Sequence, residues 1–495
     1  MAGEAAAEML DQKLRQQGDE DVLSMDELVE MLLRDVSVIP TTEEATMAAA
    51  AAAITSAHAL PGDAFEEILR RVPPRGLAAC RSVCASWRAA VDAGRLLRAD
   101  RLPLSVAGIL IHFDVHNYTE MFVRPASSSW PPRPEVSARL DFLPSADDAW
   151  TTVCDHCNGL LLLEDYVVNP ATRRWDPLPR PPRKEPFRFE SWTRYLAYDP
   201  TMSPHYEVVR IRTSRSIDII GDLEWPPSPF VMQVFSSRTR RWEERPFSRQ
   251  GSAAGTFTYM DLVGARGGHA AFWRGKLYVH CANNFFLRIS LSSDEYQVIQ
   301  PPTGVDKSSR VSSLYLGKSE KGVYLASLNR CDLRVWILDE SSPDHRPEWV
   351  LKHHNNLENV RPRNSPYHYQ HNDPWRLEDV NYNQAPEIAK SHWKFLSESY
   401  SYVVDDPAAV IRVDRTTKCY VKNLQILGFH PFAEIVFLSG SSRSGLSYRL
   451  DRSELRYLGS IFPTCCGEKI ASGRGSIVTS FPYTPCWIKE IPANK

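Results

Sequence analysis

The sequence predicts an α+β chain in which a small all-α segment precedes a large all-β region. Two observations support this prediction. Apolar residues recur at helical spacing between residues 60 and 88, and from about residue 102 short runs of β-branched and aromatic residues alternate with turn-forming residues. With 495 residues and 43% hydrophobic composition, the chain is long enough for two or three domains with buried cores.

The first 54 residues differ in composition from the rest of the chain. Residues 1–50 contain twelve acidic and three basic side chains, and alanine fills positions 48–53. Such a stretch buries too little apolar surface to fold alone, so we expect residues 1–54 to form an acidic, Ala-rich and mostly disordered arm. The whole chain has a net charge of −2, which gives no electrostatic basis for binding nucleic acid.

Two short amphipathic helices are predicted between residues 60 and 88. Asp63 can cap the first helix, and the double proline at 73–74 ends it. The apolar stripe of the first helix is Phe65, Ile68, Leu69 and Val72, and that of the second is Leu77, Cys80, Val83, Cys84 and Trp87. About 40 residues in two or three helices rarely form a stable core alone, so these stripes pack on the rest of the chain or on another polypeptide.

The same segment resembles the F-box, the motif by which substrate receptors join cullin-based ubiquitin ligases. The resemblance lies in Leu60-Pro61, Glu67-Ile68-Leu69, Val72-Pro73, Leu77, Arg81-Ser82-Val83-Cys84 and Trp87-Arg88. It implies an F-box helical domain over residues 55–100 that binds a Skp-type adaptor and, through it, a cullin. The adaptor contacts that it implies are Leu60, Pro61, Ile68, Leu69, Leu77, Val83, Cys84 and Trp87. Ile68 and Val83 could equally pack inside the segment.

The β-rich region repeats a pattern of strand, polar turn and strand with an aromatic residue near its end. These aromatics are Trp175, Trp242, Tyr296, Trp349 and Tyr457, with gaps of 67, 54, 53 and 108 residues. Kelch-type repeats have about 50 residues per four-stranded blade. We therefore expect a β-propeller over residues 103–490, with six to eight blades and one blade within 399–423, the long gap. A pair of β-sandwiches or an irregular β-domain is the alternative.

A second resemblance covers most of this region. The segments 157–162, 169–175, 178–179, 197–200, 206–209 and 428–431 are similar to the kelch-like associated domain of plant F-box proteins. Asn169 and Pro170 also have a local reason to be there, because Asn-Pro sets a turn. Gly267-Gly268 is the only glycine pair in the β-rich region, whereas true kelch repeats contain such pairs regularly.

Two insertions interrupt the repeat. Residues 177–192 are rich in proline and basic side chains, and residues 353–393 contain several His and Asn without a strand pattern. Loops of this length in a compact domain are either functional or disordered, so we expect both to be candidate target contacts. For the histidines of the second insertion, a solvated loop is favoured over a metal site.

The cysteines and the remaining patterns bound the function further. Ten cysteines without dense regular spacing indicate reduced thiols in the cytosol or nucleus. Cys154 and Cys157 lack a second pair at zinc-finger spacing, so we interpret them, with Cys465 and Cys466, as buried strand cysteines and predict no metal or cofactor. No stretch approaches the ~20 apolar residues of a membrane span, and no secretory signal is recognisable.

No catalytic motif is recognisable, so the sequence predicts a binding protein rather than an enzyme. It has no G-x-S-x-G elbow, P-loop, G-x-G-x-x-G or H-E-x-x-H sequence. The expectation is a non-catalytic substrate receptor of a ubiquitin ligase, cytoplasmic or nuclear, that captures an unknown target protein through its β-domain. Two alternatives stay open: a stand-alone propeller scaffold and a propeller enzyme.

Overall fold

A computed structural model describes 17 stretches of the chain together with single positions between them. The described residues are 69, 89–91, 96, 106–125, 136–144, 152–182, 192–200, 202–212, 224–256, 269–281, 284–305, 313–341, 347–360, 362, 375–383, 424–440, 444–465 and 476–486. The chain divides into two compact units, residues 1–103 and 104–495. The predicted arm over 1–54 lies outside the described residues.

The first unit is helical where it is described. Leu69 lies in a helix and is 2% exposed, residues 89–91 are helical, and the Leu96 amide donates to the Val91 carbonyl oxygen at 2.9 Å. The expectation that residues 55–100 are entirely α-helical stays a prediction. Among the described residues, no helix has the length and apolar character needed to cross a bilayer.

The second unit consists mainly of short antiparallel strands. Its first strands are β1 (Gly108–Phe113), β2 (Glu120–Val123), β3 (Asp155–Cys157), β4 (Leu160–Leu162), β5 (Tyr166–Asn169), β6 (Arg174–Pro177), β7 (Trp192–Ala197), β8 (Glu207–Arg212), β9 (Glu224–Trp225), β10 (Phe230–Ser236), β11 (Arg241–Gln250), β12 (Gly255–Thr256) and β13 (Ala270–Trp273). The next are β14 (Lys276–His280), β15 (Phe286–Ser290), β16 (Glu295–Ile299), β17 (Ser313–Ser319), β18 (Gly322–Asn329), β19 (Asp332–Asp339) and β20 (Glu348–Asn356). A 3₁₀ turn (Leu357–Asn359), β21 (Arg376–Leu377), helix α1 (Val380–Asn383), β22 (Gln425–Phe429), β23 (Ile435–Ser439), β24 (Ser444–Arg449), β25 (Glu454–Ser460) and β26 (Ile477–Tyr483) complete it.

These strands form six four-stranded blades within the described residues. From the inner to the outer strand, the blades are β3-β4-β5-β6, β7-β8-β10-β11, β13-β14-β15-β16, β17-β18-β19-β20, β22-β23-β24-β25 and β26-β1-β2-β21, numbered 1 to 6. Blades 2 and 3 are also joined at their outer edges, where β11 pairs with β16 in parallel. Strands β9 and β12 form a separate antiparallel pair. Six blades lie within the predicted range of six to eight.

Blade 6 closes the ring because its strands come from three distant parts of the chain. The C-terminal strand β26 is innermost and pairs with β1, while β21, from the second insertion, pairs with β2 at the outer edge. Next to β26 on one side lies β22 of blade 5. On the other side, the Tyr483 hydroxyl donates to the Gly159 carbonyl oxygen at 3.2 Å, and Asn169 Nδ2 donates to the Cys486 carbonyl oxygen at 2.8 Å.

The recurring aromatics all lie on the outermost strand of a blade, as the repeat predicts. Trp175, Trp242, Tyr296, Trp349 and Tyr457 belong to β6, β11, β16, β20 and β25. In four blades the turn before this strand contains a residue with positive φ, at 52°, 61°, 53° and 51° for Arg173, Arg240, Asp294 and Ser453. A left-handed residue at this point lets a four-residue turn reverse the chain, which explains why polar residues recur there.

The core of the propeller lies between blades rather than within one sheet. Five apolar clusters fill the junctions of blades 2 and 3, 3 and 4, 4 and 5, 5 and 6, and 6 and 1. Strand β1 shows how period-two alternation supplies two of them, because Ile109 and Ile111 pack against blade 5 and Leu110 against blade 1. Both faces of each sheet are buried, so the strands are continuous apolar runs such as Leu160–Leu163.

Blades 1 and 2 meet through hydrogen bonds. The Tyr206 hydroxyl donates to Asp176 Oδ2 at 2.6 Å, and Arg240 forms an ion pair with the same carboxylate. Closer to the axis, the Leu196 amide donates to Asp155 Oδ2 at 2.7 Å. Asp155 and Asp176 are both buried, so these bonds supply the partners that buried carboxylates need.

The second insertion differs from its prediction at both described ends. Residues 353–356, expected to lack a strand pattern, complete β20, where His353 pairs with Val335 next to a β-bulge. An outer strand tolerates polar side chains because one of its edges is unpaired, and the polarity concealed this strand in the sequence. The blade predicted within 399–423 lies outside the described residues, and the rings of Tyr315 in blade 4 and Phe429 in blade 5 lie 6.1 Å apart, so these blades are direct neighbours.

The first insertion and the cysteines need smaller corrections. Residues 178–182 pack on blade 2, where Trp242 Nε1 donates to the Pro179 carbonyl oxygen at 2.7 Å. Cys157 is a buried strand cysteine, as predicted, but Cys154 is exposed and precedes β3. Cys465 is buried in a turn after β25, and Cys466 lies outside the described residues.

Candidate functional site

Of the eight predicted adaptor contacts, only Leu69 lies within the described residues. Its side chain is 2% exposed, so in the isolated chain this position is packed rather than presented at the surface. The other predicted contacts, Leu60, Pro61, Ile68, Leu77, Val83, Cys84 and Trp87, lie outside the described residues. Their role in adaptor binding therefore stays a prediction, and a test of it is better placed on Leu60 and Trp87 than on Leu69.

The inner strands of the propeller enclose a pocket, here called the axial pocket. It is lined from blades 1, 3, 4, 5 and 6, by His156–Asn158, His269–Phe272, Tyr315–Lys318, Phe429, Pro431, Phe481 and Pro482. Its cavity volume is about 50 Å³. A buried water needs at least 10–15 Å³ on this scale, so the pocket has room for roughly three to four waters or one small polar group.

Aromatic rings form one wall of the axial pocket. The imidazole of His269 stacks on the ring of Tyr315, with centroids 3.8 Å apart and planes inclined by 29°. The Phe481 ring lies 4.9 Å from the imidazole of His156 and 6.5 Å from that of His269. The Tyr315 hydroxyl donates to the Ser480 carbonyl oxygen at 2.9 Å, which fixes this ring against β26.

The two histidines of the pocket are neutral at physiological pH. Burial lowers the pKa of His156 to about 3, and the nearby Lys318 cation lowers it further. Burial also lowers the pKa of His269 to about 3, with smaller contributions from His280 and His156. Each neutral imidazole offers one N–H donor and one acceptor nitrogen, so this pair can bind polar groups without adding charge.

Lys318 brings the positive charge to the pocket lining. Its Nζ donates to Asn158 Oδ1, while Asn158 Nδ2 donates to the Tyr198 carbonyl oxygen at 2.6 Å. Asn158 has a positive φ of 47° at the turn between β3 and β4, a conformation that asparagine adopts more readily than most residues. The backbone of blade 1 thus holds the amide that positions the lysine of blade 4.

A second buried polar cluster joins helix α1 to blade 6. Glu120 accepts hydrogen bonds from the Val380 amide at 2.7 Å and from Asn381 Nδ2 at 2.6 Å. His116 Nδ1 lies 3.5 Å from Glu120 Oε1, and its Nε2 lies 3.3 Å from Cys465 Sγ. These are residue types that bind metals. Because the two ring nitrogens face different partners, hydrogen bonding accounts for the arrangement, and we interpret it as an attachment of the insertion.

Sequence reasoning did not find either polar site. His156 entered the analysis only as the residue between two cysteines, and His269 and Lys318 belong to no motif. Residues that line a propeller axis are separated by whole blades, here by 113 residues between His156 and His269. A signal was present in the register, since each pocket residue lies on or next to the first strand of a repeat.

Comparisons with known proteins agree with both parts of the chain. Residues 58–98 match the family model described as F-box domain, and residues 257–384 match the model described as F-box protein AT5G49610-like, beta-propeller. "Probable F-box protein At5g47300" of Arabidopsis thaliana is 32% identical over 130 residues, which are 23% of this chain and 30% of that protein. The chain is a plant F-box β-propeller protein.

The remaining comparison adds nothing to this assignment. A solved structure described as "YCF48 bound to D1 peptide" is similar over 73% of this chain and 84% of that one, at 10% identity and a TM-score of 0.28, which is too low to support an argument. For this F-box β-propeller protein, the prediction of an F-box followed by a propeller is confirmed. The curated relative matches over less than a third of its length, so the activity and partners of the whole protein are proposals.

Proposed function

We propose that this protein is a substrate receptor of an SCF-type ubiquitin ligase. In this proposal, the F-box binds a Skp-type adaptor, and through it a cullin, while the propeller captures a target protein. The observation that supports it best is the F-box match at 58–98 directly ahead of the propeller, because an F-box with a separate binding domain suits a receptor. We place the adaptor contacts at Leu60, Pro61, Ile68, Leu69, Leu77, Val83, Cys84 and Trp87.

The receptor needs no chemistry of its own. By binding the adaptor and a target together, it raises the effective concentration of target lysines near the conjugating enzyme. The axial pocket contains neutral histidines, an amide and a lysine, but no carboxylate or activated nucleophile among its described lining residues. We therefore propose a non-catalytic role in the cytoplasm or nucleus, where the ligase machinery operates.

Affinity purification of the tagged full chain tests this proposal. With the proteasome inhibited, we expect mass spectrometry to detect a Skp-type adaptor, a cullin and the ubiquitinated target. Leu60→Asp combined with Trp87→Ala should remove the adaptor and the cullin but keep the target. If the adaptor is absent from the wild-type sample, the alternative of a stand-alone propeller scaffold is favoured instead.

A further inference from the structure

We propose that the axial pocket binds a carboxylate group of the target protein. This inference rests on the proposed function, because it treats the propeller as the target-binding domain. The carboxylate could belong to an acidic side chain or to a chain terminus, and both sources present the same planar anion. The proposal follows from the charge of the pocket, its size and the satisfied state of its other polar groups.

Lys318 is the cation of the pocket and has no acidic partner among the described residues. Its Nζ bonds to the neutral amide of Asn158. Two other lysines of blade 4 behave differently, since Lys321 and Lys352 both pair with Glu434, at 3.0 and 2.6 Å. A partly buried cation gains most from an anion that enters its site, so the lysine left without one indicates where a negative group from outside would bind.

The described anions and polar groups near the pocket do not compete for this cation. The carboxyl of Asp155 faces blade 2 and accepts the Leu196 amide at 2.7 Å, and burial raises its pKa to about 7. The Cys157 thiol lies 3.1 Å from the Tyr198 carbonyl oxygen, and burial raises its pKa to about 12, so it stays neutral. The Tyr315 hydroxyl is bonded to a backbone carbonyl. An incoming anion therefore meets a cation and neutral groups.

The shape of the pocket favours a small anion over a larger ligand. A cavity of about 50 Å³ has room for a carboxylate and its last methylene, but not for a nucleotide or a sugar. The rings of Tyr315 and Phe481 exclude water from one side, which lowers the local dielectric constant and strengthens an ion pair with Lys318. The imidazole N–H of His156 or His269 is available as a second donor, so the bound carboxylate could have a bond for each oxygen.

Amine labelling of the full chain tests the proposal at the atom concerned. We expect saturating N-acetylglutamate α-amide, a side-chain carboxylate, or N-acetylglycine, a terminal carboxylate, to slow acylation of Lys318 at least fivefold. The rate for Lys321, measured in the same sample by mass spectrometry, should not change. The stronger of the two probes identifies the source. The neutral probe N-acetylglutamine amide should protect neither lysine.

Variants separate this proposal from the proposed function. Lys318→Gln should weaken binding of the better probe at least tenfold, measured as ligand-dependent thermal stabilisation, while Lys321→Gln, the same charge change on an exposed turn, should not. Asn158→Asp supplies an internal carboxylate and should also abolish binding. All three variants should retain the wild-type melting temperature without ligand within a few degrees, and should still bind the Skp-type adaptor. Equal protection by the neutral probe, equal loss in Lys321→Gln, or no protection of Lys318 would overturn the carboxylate site without touching the adaptor interaction.

Discussion

Replacing Gly159 by alanine tests whether the C-terminal strand closes the propeller as described. Gly159 lies at the turn between β3 and β4 with φ at 87°. A Cβ atom there would lie 2.6 Å from the Cys486 backbone nitrogen and 2.7 Å from the Thr484 carbonyl oxygen. Both atoms belong to the backbone that follows β26, so blade 6 would have to move away from blade 1.

The magnitude can be separated into two parts with a matched control. Gly251 has φ at 88°, and a Cβ there would meet nothing within 4 Å. Gly251→Ala therefore carries only the cost of a left-handed alanine, about 1–2 kcal/mol. Gly159→Ala adds the cost of overpacking, about 1–3 kcal/mol. We expect Gly159→Ala to lose about 2–5 kcal/mol of the free energy of unfolding.

Urea denaturation followed by tryptophan fluorescence measures both variants on the full chain. The result we expect is a larger loss for Gly159→Ala than for Gly251→Ala, together with faster amide exchange in residues 476–486. Equal losses for the two variants, with unchanged exchange in this strand, would refute the closure of the ring by β26.

Two further predictions concern the buried polar groups. Asn381→Ala removes two donors and two accepted hydrogen bonds and leaves Glu120 with fewer partners, so it should cost about 3–4 kcal/mol of the free energy of unfolding, whereas Asn383→Ala, on the same helix with one exposed bond, should cost under ~1 kcal/mol; comparable losses in urea denaturation would contradict the attachment of α1. The pKa of His269 is lowered from 6.5 to about 3, so its neutral form stabilises the fold above pH 6.5 and this contribution is lost as the pH falls towards 3. His269→Phe keeps the stack on Tyr315 and should make the free energy of unfolding less dependent on pH in this range; an unchanged pH dependence would show that the imidazole is not buried as a neutral group.

The propeller could be predicted because its repeat is written in local residue types. Turn residues such as Arg240 and outer-strand aromatics such as Trp242 recur in most blades, since each blade must reverse its chain and cover its last strand in the same way. The number of blades was harder to predict, because blade 6 contains no complete repeat. Its strands β1, β2, β21 and β26 are separated by up to a whole domain, and only the tertiary structure brings them together.

The axial pocket and the attachment of α1 could not be predicted for a related reason. Lys318 and Asn158 meet across two blades, and Glu120 meets Asn381 across more than 260 residues. Neither pair has a characteristic spacing, because ring closure and not local chain geometry determines their distance. The F-box was recognised from its residues, in contrast, because its features lie within about 40 consecutive positions.

The affinity of the purified full chain for a purified Skp-type adaptor tests the central claim most directly. We predict a saturable 1:1 complex by calorimetry, at least tenfold weaker in the variant Leu60→Asp with Trp87→Ala. The control Arg70→Ala with Arg71→Ala, off the apolar stripe of the same predicted helix, should bind like the wild type. If the wild-type chain shows no binding, or if Leu60→Asp with Trp87→Ala binds as tightly as the control, the protein is not a ligase receptor of this kind.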